Sequence, residues 1–217
     1  MSALPESAGR PTSSWSDPDR VEHYLVRIGG IEARGAGEEV LTTLLPVAPR
    51  AVLDLGCGDG RLSALVLDQC PSVEVVVGVD SSPAMLGHAR KRFAGDGRVT
   101  IREWNLEDPL TPLGAFDLVV AGFSIHHVDD QRKRSLFAEV NRLLMPTGLF
   151  ANLEVVKSAT PELHRQFLEL IGRRDDDPED RLAGVEDQLR WMREAGLANV
   201  DCYWRWRGFA LLAGHAT

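Results

Sequence analysis

Between Ala51 and Leu62 the chain reads AVLDLGCGDGRL: a short, mostly apolar run, then Gly56, Gly58 and Gly60 separated by single residues, then an amphipathic segment. A buried strand that ends on glycines and feeds straight into a helix constrains the fold more than any other stretch. It sets side-chain-free backbone and unpaired helix N–H groups at one end of the strand, the end at which an open parallel sheet binds its ligands. The turn alone fits any nucleotide-like molecule. A dinucleotide turn would run Gly-x-Gly-x-x-Gly, but Arg61 stands third after Gly58 and Gly60 comes one residue early. Asp54, just before the turn, is of no use to a pyrophosphate and can pair with a cationic ligand group.

The alternation of short β-branched runs with longer amphipathic ones continues downstream. VEVVVGVD, VTIREWN, FDLVVAGFSI and GLFANLEVV read as strands, and RLSALVLDQC, PAMLGHARKRF and QRKRSLFAEVNRLL as helices between most of them. Apolar strands of this kind imply a parallel sheet covered on both faces. Then TPELHRQFLELIG reads as a helix, RRDDDPED as a charged loop, and GVEDQLRWMREAGL as a helix ending at Gly196. VDCYWRWR and FALLAGH, separated only by Gly208, suit an antiparallel hairpin. The expected fold is α/β: a Rossmann-like, seven-stranded, mostly parallel sheet with an antiparallel last strand, helices on both faces and an N-terminal helical cap. Residues 1–17 read as a flexible tail and 18–217 as one domain, with the cap at 18–48, broken at Gly29 and Gly30, and a variable helical segment at 160–196.

Length and composition agree with one core: 217 residues, 44% hydrophobic and 26% charged. No apolar run approaches the roughly 20 residues of a membrane span, so no membrane partner is expected. The opening lacks the basic start and apolar core of a secretory signal. Cys57, Cys70 and Cys202 form no Cys-x-x-Cys pair, which argues against a disulfide framework or a zinc cluster and fits a cytoplasmic location. A net charge of −8 with dispersed basic residues argues against a nucleic-acid partner. Monomer and homodimer both stay open.

Asp80 ends the second strand, where a carboxylate can accept from two ribose hydroxyls. Capping the helix at Pro83 is its alternative role, one that Ser81 or Ser82 can fill equally well. In EWNLED, Asn105 is placed to accept from an adenine amino group while neighbouring backbone meets the ring, or simply to form a turn. With VLDLGCGDG, VVVGVDSSPAML, IREWNLED, FDLVVAGFSIHHV and LLMPTGLFANLE in this order over about residues 40 to 157, the chain resembles class I S-adenosylmethionine-dependent methyltransferases of the compact bacterial type 11 and type 12 kind. The resemblance implies S-adenosylmethionine as cofactor and a small-molecule methyl acceptor. It implies that Asp54, Gly56 and Gly58, with Cys57 between them, meet the methionine portion of the cofactor. Asp80 and Ser81 would meet the ribose, and Asn105, Leu106 and Met85 the adenine, with Phe123 as the wall behind. Asn105 departs from the family's usual Asp, and an amide oxygen can accept the same bond.

Methyl transfer from a sulfonium needs an aligned acceptor and, where that acceptor is protonated, a base. His126 and His127 close the fourth strand and flank the same crevice, so either is a candidate base, with His127 preferred. The alternative is that the pair only shapes the pocket. A metal reading of HHVDD is disfavoured because adjacent residues seldom converge on one ion, and no metal is expected. For the acceptor, Tyr24 and Arg27 lie one helical turn apart, against a buried Tyr with Arg27 in solvent. Trp204 shares a strand face with Trp206, as an aromatic wall or as core. Competing readings keep the cofactor but not the reaction, as a binding protein or a carboxymethyl-transfer enzyme.

Overall fold

The computed structural model describes residues 14–217. Most of the expected tail, residues 1–13, lies outside the described residues. Ser14–Ser16 form a 3-10 turn, and the Asp17 side chain caps the first helix by accepting from the Asp19 N–H at 3.0 Å. Helices α1 (Pro18–Gly29) and α2 (Glu32–Leu44) precede β1 (Ala51–Leu55), α3 (Arg61–Gln69), β2 (Val75–Asp80), α4 (Pro83–Arg92), β3 (Val99–Glu103) and β4 (Phe116–Gly122). The chain continues through α5 (Asp130–Leu143), β5 (Leu144–Val155), α6 (Pro161–Leu170), α7 (Val185–Glu194), β6 (Ala198–Trp206) and β7 (Phe209–His215).

The strands pair in the order β3-β2-β1-β4-β5-β7-β6, and β7 alone runs antiparallel to its neighbours. This is the sheet that the strand pattern implied. From β1 the chain moves outward to β3 and then returns to β4, so the order reverses between β1 and β4, and a crevice opens beyond their carboxyl ends. Alternate residues feed the two faces. Leu53, Leu55, Val119 and Ala121 pack with Phe137 of α5 and Met192 of α7, whereas Val52, Leu118 and Val120 pack with Leu41 of α2, Val66 of α3 and Phe167 of α6. Each such side chain contributes roughly 1.5–3 kcal/mol when fully buried, which is why both faces need a helical layer.

Only part of the expected cap reaches the ligand edge. α1 does, carrying Tyr24 and Arg27, whereas α2 lies flat on the sheet and meets that edge through Arg34 in its first turn. Its Gly37 sits so close that a Cβ there would stand 2.8 Å from Leu153 Cδ1 and 2.9 Å from the Trp204 ring. Trp204 therefore packs beneath α2 and lines neither cavity described below; the expectation that it walls an acceptor is corrected to core packing. The variable segment between α6 and α7 is tied to the turn after β4. The buried Lys133 ammonium donates to the carbonyls of Val128 and Arg181, and the Arg181 N–H donates to the His126 carbonyl at 2.7 Å.

Candidate functional site

The glycine turn is built as close approach demands. Gly56 has φ +65°, in the left-handed region, and a Cβ there would fall 2.2 Å from Ser124 Cβ. Ser124 is fixed in turn, since its hydroxyl donates to the Leu55 carbonyl at 2.7 Å. Beyond Gly56, the Cys57 N–H bonds the Val79 carbonyl at 2.9 Å and extends the ladder. At the far wall Phe123 holds φ 54°, unusual for a side-chain-bearing residue, with its N–H on the Leu153 carbonyl and the Arg34 guanidinium 5.3 Å from its ring. Arg34 and Arg61 both donate to Glu38, which joins α2 to the start of α3.

Asp80 holds the turn in place. Its Oδ2 accepts from the Gly58 N–H at 2.9 Å and its Oδ1 from the Ser82 N–H at 2.8 Å. The cap of α4 is Ser82, whose Oγ accepts from the Met85 N–H at 3.2 Å, so Asp80 is free of that role. A carboxylate offers about four acceptor positions, and what the Gly58, Ser81 and Ser82 backbone leaves is open to ligand hydroxyls. Asn105 takes up a turn geometry: its Oδ1 accepts from the Glu107 N–H at 2.9 Å while the residue faces the cavity. A cavity of about 230 Å³ runs from Asn105, Leu106 and Met85, past Asp80 and Ser81, over Gly56, Cys57 and Gly58, to Phe123 and His127.

Asp54 is the exception among the expected cofactor residues. It is buried and does not line the cavity; its Oδ2 accepts from the Ser63 N–H at 3.0 Å and from the Ser63 hydroxyl at 2.6 Å, bracing α3 from below. Burial outweighs those bonds and pushes its carboxyl from 3.8 up to about 7. The folded chain thus binds the extra proton between those values, and Asp54's contribution to stability is full below the unfolded value and lost as pH rises through about 7. Asp54→Asn removes that slope. Urea unfolding at about pH 5 and about pH 8 is expected to show wild type losing ground to the variant at the higher pH; an equal gap at both would contradict the assignment.

A second, smaller cavity of about 50 Å³ adjoins the first and shares Trp15, Tyr24, Phe123 and His127 with it. Trp15 packs edge-on against Tyr24 with centroids 4.9 Å apart and lies 5.6 Å from the His127 ring. Arg27 lines this second cavity half-buried and forms no ion pair among the described residues; Asp177 and Asp180, on the same cavity, are engaged by Arg20 and Arg173. Burial first, then the charge of Arg173, lowers the pKa of Arg27. Arg20 pairs with Asp177, and Arg173 Nη1 lies 3.5 Å from Asp180 Oδ2.

The two histidines sit on a 3-10 turn, Ile125–His127, and are not equivalent. His126 is buried, and its Nδ1–H donates at 2.5 Å to Oε1 of Glu154, near the carboxyl end of β5. Burial opposes charge on that ring, but Glu154 and Asp180 together outweigh it and raise its pKa. His127 faces both cavities; burial, then the neighbouring His126, push it down to about 2. Such a ring is a weak proton acceptor near neutrality.

The structure therefore brings Gly56, Cys57, Gly58, Asp80, Ser81, Met85, Asn105, Leu106, Phe123, Tyr24 and His127 to the larger cavity, and Arg27 and His126 to the smaller one. Asp54 and Trp204 stand apart. Trp15, Arg34, Glu154 and Asp180 were not expected at the site. Only Glu154 left a signal, as a charge inside the apolar run GLFANLEVV.

Known proteins share this fold and part of this sequence. Residues 52–148 match the family described as "Methyltransferase domain". Trans-aconitate 2-methyltransferase of Acidovorax sp. (strain JS42) is 33% identical over 168 residues, 76% of this chain and 58% of that protein. The chain thus spans less than two thirds of that relative. An O-methyltransferase family protein from Burkholderia thailandensis superposes with a TM-score of 0.72 at 24% identity, over 94% of this chain and 64% of that one. Human N-acetylserotonin methyltransferase in complex with SAM gives 0.67 at 14% identity, over 93% of this chain and 57% of that one.

Proposed function

Because the chain belongs to the class I S-adenosylmethionine-dependent methyltransferases, we propose that it moves the sulfonium methyl group of that cofactor to a small molecule held in the second cavity. The observation that carries this reading is the junction itself. Two neighbouring cavities that share Trp15, Tyr24, Phe123 and His127 offer a donor side and an acceptor side with those four side chains at their boundary.

On the donor side, Asp80 takes the ribose hydroxyls, Asn105, Leu106 and Met85 hold the adenine, and Gly56 to Gly58 pass the methionine portion along the turn. The reaction is an in-line displacement on an already activated carbon, so the protein's work is alignment and exclusion of water. Trp15, Tyr24 and Phe123 close the junction with apolar surface. His127, with its Nδ1 buried and lacking a hydrogen-bond partner among the described residues, is placed to orient the acceptor more than to take a proton from it.

Arg27 favours an acceptor bearing an acid group. A half-buried guanidinium that forms no ion pair among the described residues, its nearby Asp177 and Asp180 being engaged by Arg20 and Arg173, gains from a ligand carboxylate, which it can bind through two hydrogen bonds. A carboxylate oxygen is also a methyl acceptor that needs no base, in keeping with the weak basicity of His127. The name of the Acidovorax relative, a trans-aconitate methyltransferase, supports the same class. No helix among the described residues is long and apolar enough to cross a membrane, and all three cysteines are free; we assign the protein to the cytoplasm.

The test is to incubate the protein with methyl-labelled cofactor and a cell extract, then separate small molecules from polymers before mass spectrometry. The expected result is label in an acidic small molecule, with one S-adenosylhomocysteine formed per methyl moved. Label confined to protein or nucleic acid, or no transfer by cofactor-loaded protein, would overturn the proposal.

A further inference from the structure

The histidine pair and a carboxylate from the variable segment form an arrangement that methyl transfer to a carboxylate does not require. In the neutral ring, His126 gives its Nδ1–H to Glu154 and keeps a lone pair on Nε2, the form that an ion binds in place of the second proton. The His127 ring bonds the Glu179 carbonyl, and its Nδ1 is buried with no hydrogen-bond partner among the described residues, so a second lone pair is free. Asp180 uses Oδ2 to accept from the Asp177 N–H at 3.2 Å and to face Arg173. Its Oδ1 lies 3.5 Å from His126 Nε2 and 3.7 Å from His127 Nδ1, and one ligand atom from each of the three residues falls within 4.8 Å of the others.

The two Asp180 separations, 3.5 and 3.7 Å, are too long for good hydrogen bonds and close to what an ion would impose. Around a tetrahedral ion with bonds near 2.1 Å, neighbouring ligand atoms stand about 3.4 Å apart. We propose that His126 Nε2, His127 Nδ1 and Asp180 Oδ1 bind a divalent transition-metal ion, zinc, iron or cobalt by donor type, at the wall of the second cavity. Two imidazoles and one carboxylate suit such ions; magnesium and calcium prefer all-oxygen sets. Glu154 fixes the His126 tautomer and turns Nε2 inward, the arrangement by which a carboxylate commonly supports a metal-bound histidine. The sequence argument against adjacent ligands fails here because the 3-10 turn sets the two rings 4.0 Å apart, and because the third ligand arrives from beyond α6.

All three ligands line the cavity that Arg27 also lines, and a fourth ligand would come from that cavity. An acceptor oxygen would complete the shell there, with the ion and Arg27 holding an acidic acceptor from two sides. That last step rests on the methyl-transfer reading, whereas binding of the ion does not.

Tag-free full-length protein, stripped with chelator and dialysed, is titrated with Co²⁺ and followed by its visible ligand-field absorption, with Zn²⁺ as competitor. One equivalent of Co²⁺ is expected to bind with bands displaced by Zn²⁺. Glu154→Gln is expected to weaken binding roughly 10- to 100-fold, and His126→Ala and Asp180→Asn to weaken it further, with S-adenosylhomocysteine affinity retained in Asp180→Asn. Absence of saturable Co²⁺ or Zn²⁺ binding, or an Asp180→Asn variant that binds Co²⁺ as tightly as wild type, overturns the site. The same samples titrated with S-adenosylhomocysteine separate the two ideas: Co²⁺ binding without cofactor binding keeps the ion and removes its link to methyl transfer.

Discussion

Asp80→Ala is expected to weaken S-adenosylhomocysteine binding by roughly 100-fold or more, measured by titration calorimetry. Two charge-assisted hydrogen bonds to ribose hydroxyls contribute about 1.5–3 kcal/mol each, and every 1.4 kcal/mol is about tenfold in affinity. The substitution also takes away the acceptor that holds the Gly58 N–H, so the turn loses its clamp as the ribose loses its partners. Helix α4 keeps its own cap on Ser82, and the fold should survive. A variant within threefold of wild type would show that the ribose is bound elsewhere.

Gly56→Ala is expected to cost roughly 2–5 kcal/mol of stability, the sum of left-handed strain and overpacking. The new Cβ would meet Ser124 at 2.2 Å, and Ser124 cannot retreat without releasing the Leu55 carbonyl that fixes the end of β1. Gly87 supplies the contrast. It lies inside α4 with nothing within 4 Å of an added Cβ, and Gly87→Ala should gain about 0.5–1 kcal/mol from helix entropy. Urea unfolding of both variants checks the pair, and a Gly56→Ala protein as stable as wild type would remove the claim of close approach at the crevice.

The sheet was legible because its signal is repetitive. Apolar runs of strand length, each followed by a helical period or a turn, leave few ways to build a doubly covered sheet, and the single residue Gly208 between the last two runs leaves room only for a hairpin. The donor side was legible for a related reason: Gly56, Gly58, Asp80 and Asn105 all sit at strand ends that one topology brings to one edge. Asp54 misled because a sequence shows that an acid stands beside the turn and not which way it points; the Ser63 backbone and hydroxyl draw it inward. Trp204 misled because alternation gives a face and not what covers it, and Gly37 of α2 covers it.

The acceptor side was less legible because its parts come from distant segments. Trp15 belongs to a stretch that reads as tail, and Asp180 to a loop that reads as solvated charge, yet both are drawn in by long-range contacts. Trp15 packs on Tyr24 and its carbonyl accepts from the Ser82 hydroxyl; the loop is fastened through Lys133 and the His126 carbonyl. Such contacts follow from tertiary packing, which no local pattern encodes.

A sulfonium cofactor in the larger cavity underlies the proposed reaction. Calorimetric titration of the wild-type protein with S-adenosylhomocysteine tests it most directly, with NAD titrated in parallel. One equivalent bound in the micromolar range, with no heat from NAD, is the predicted result; no saturable binding of S-adenosylhomocysteine at millimolar concentration would contradict it.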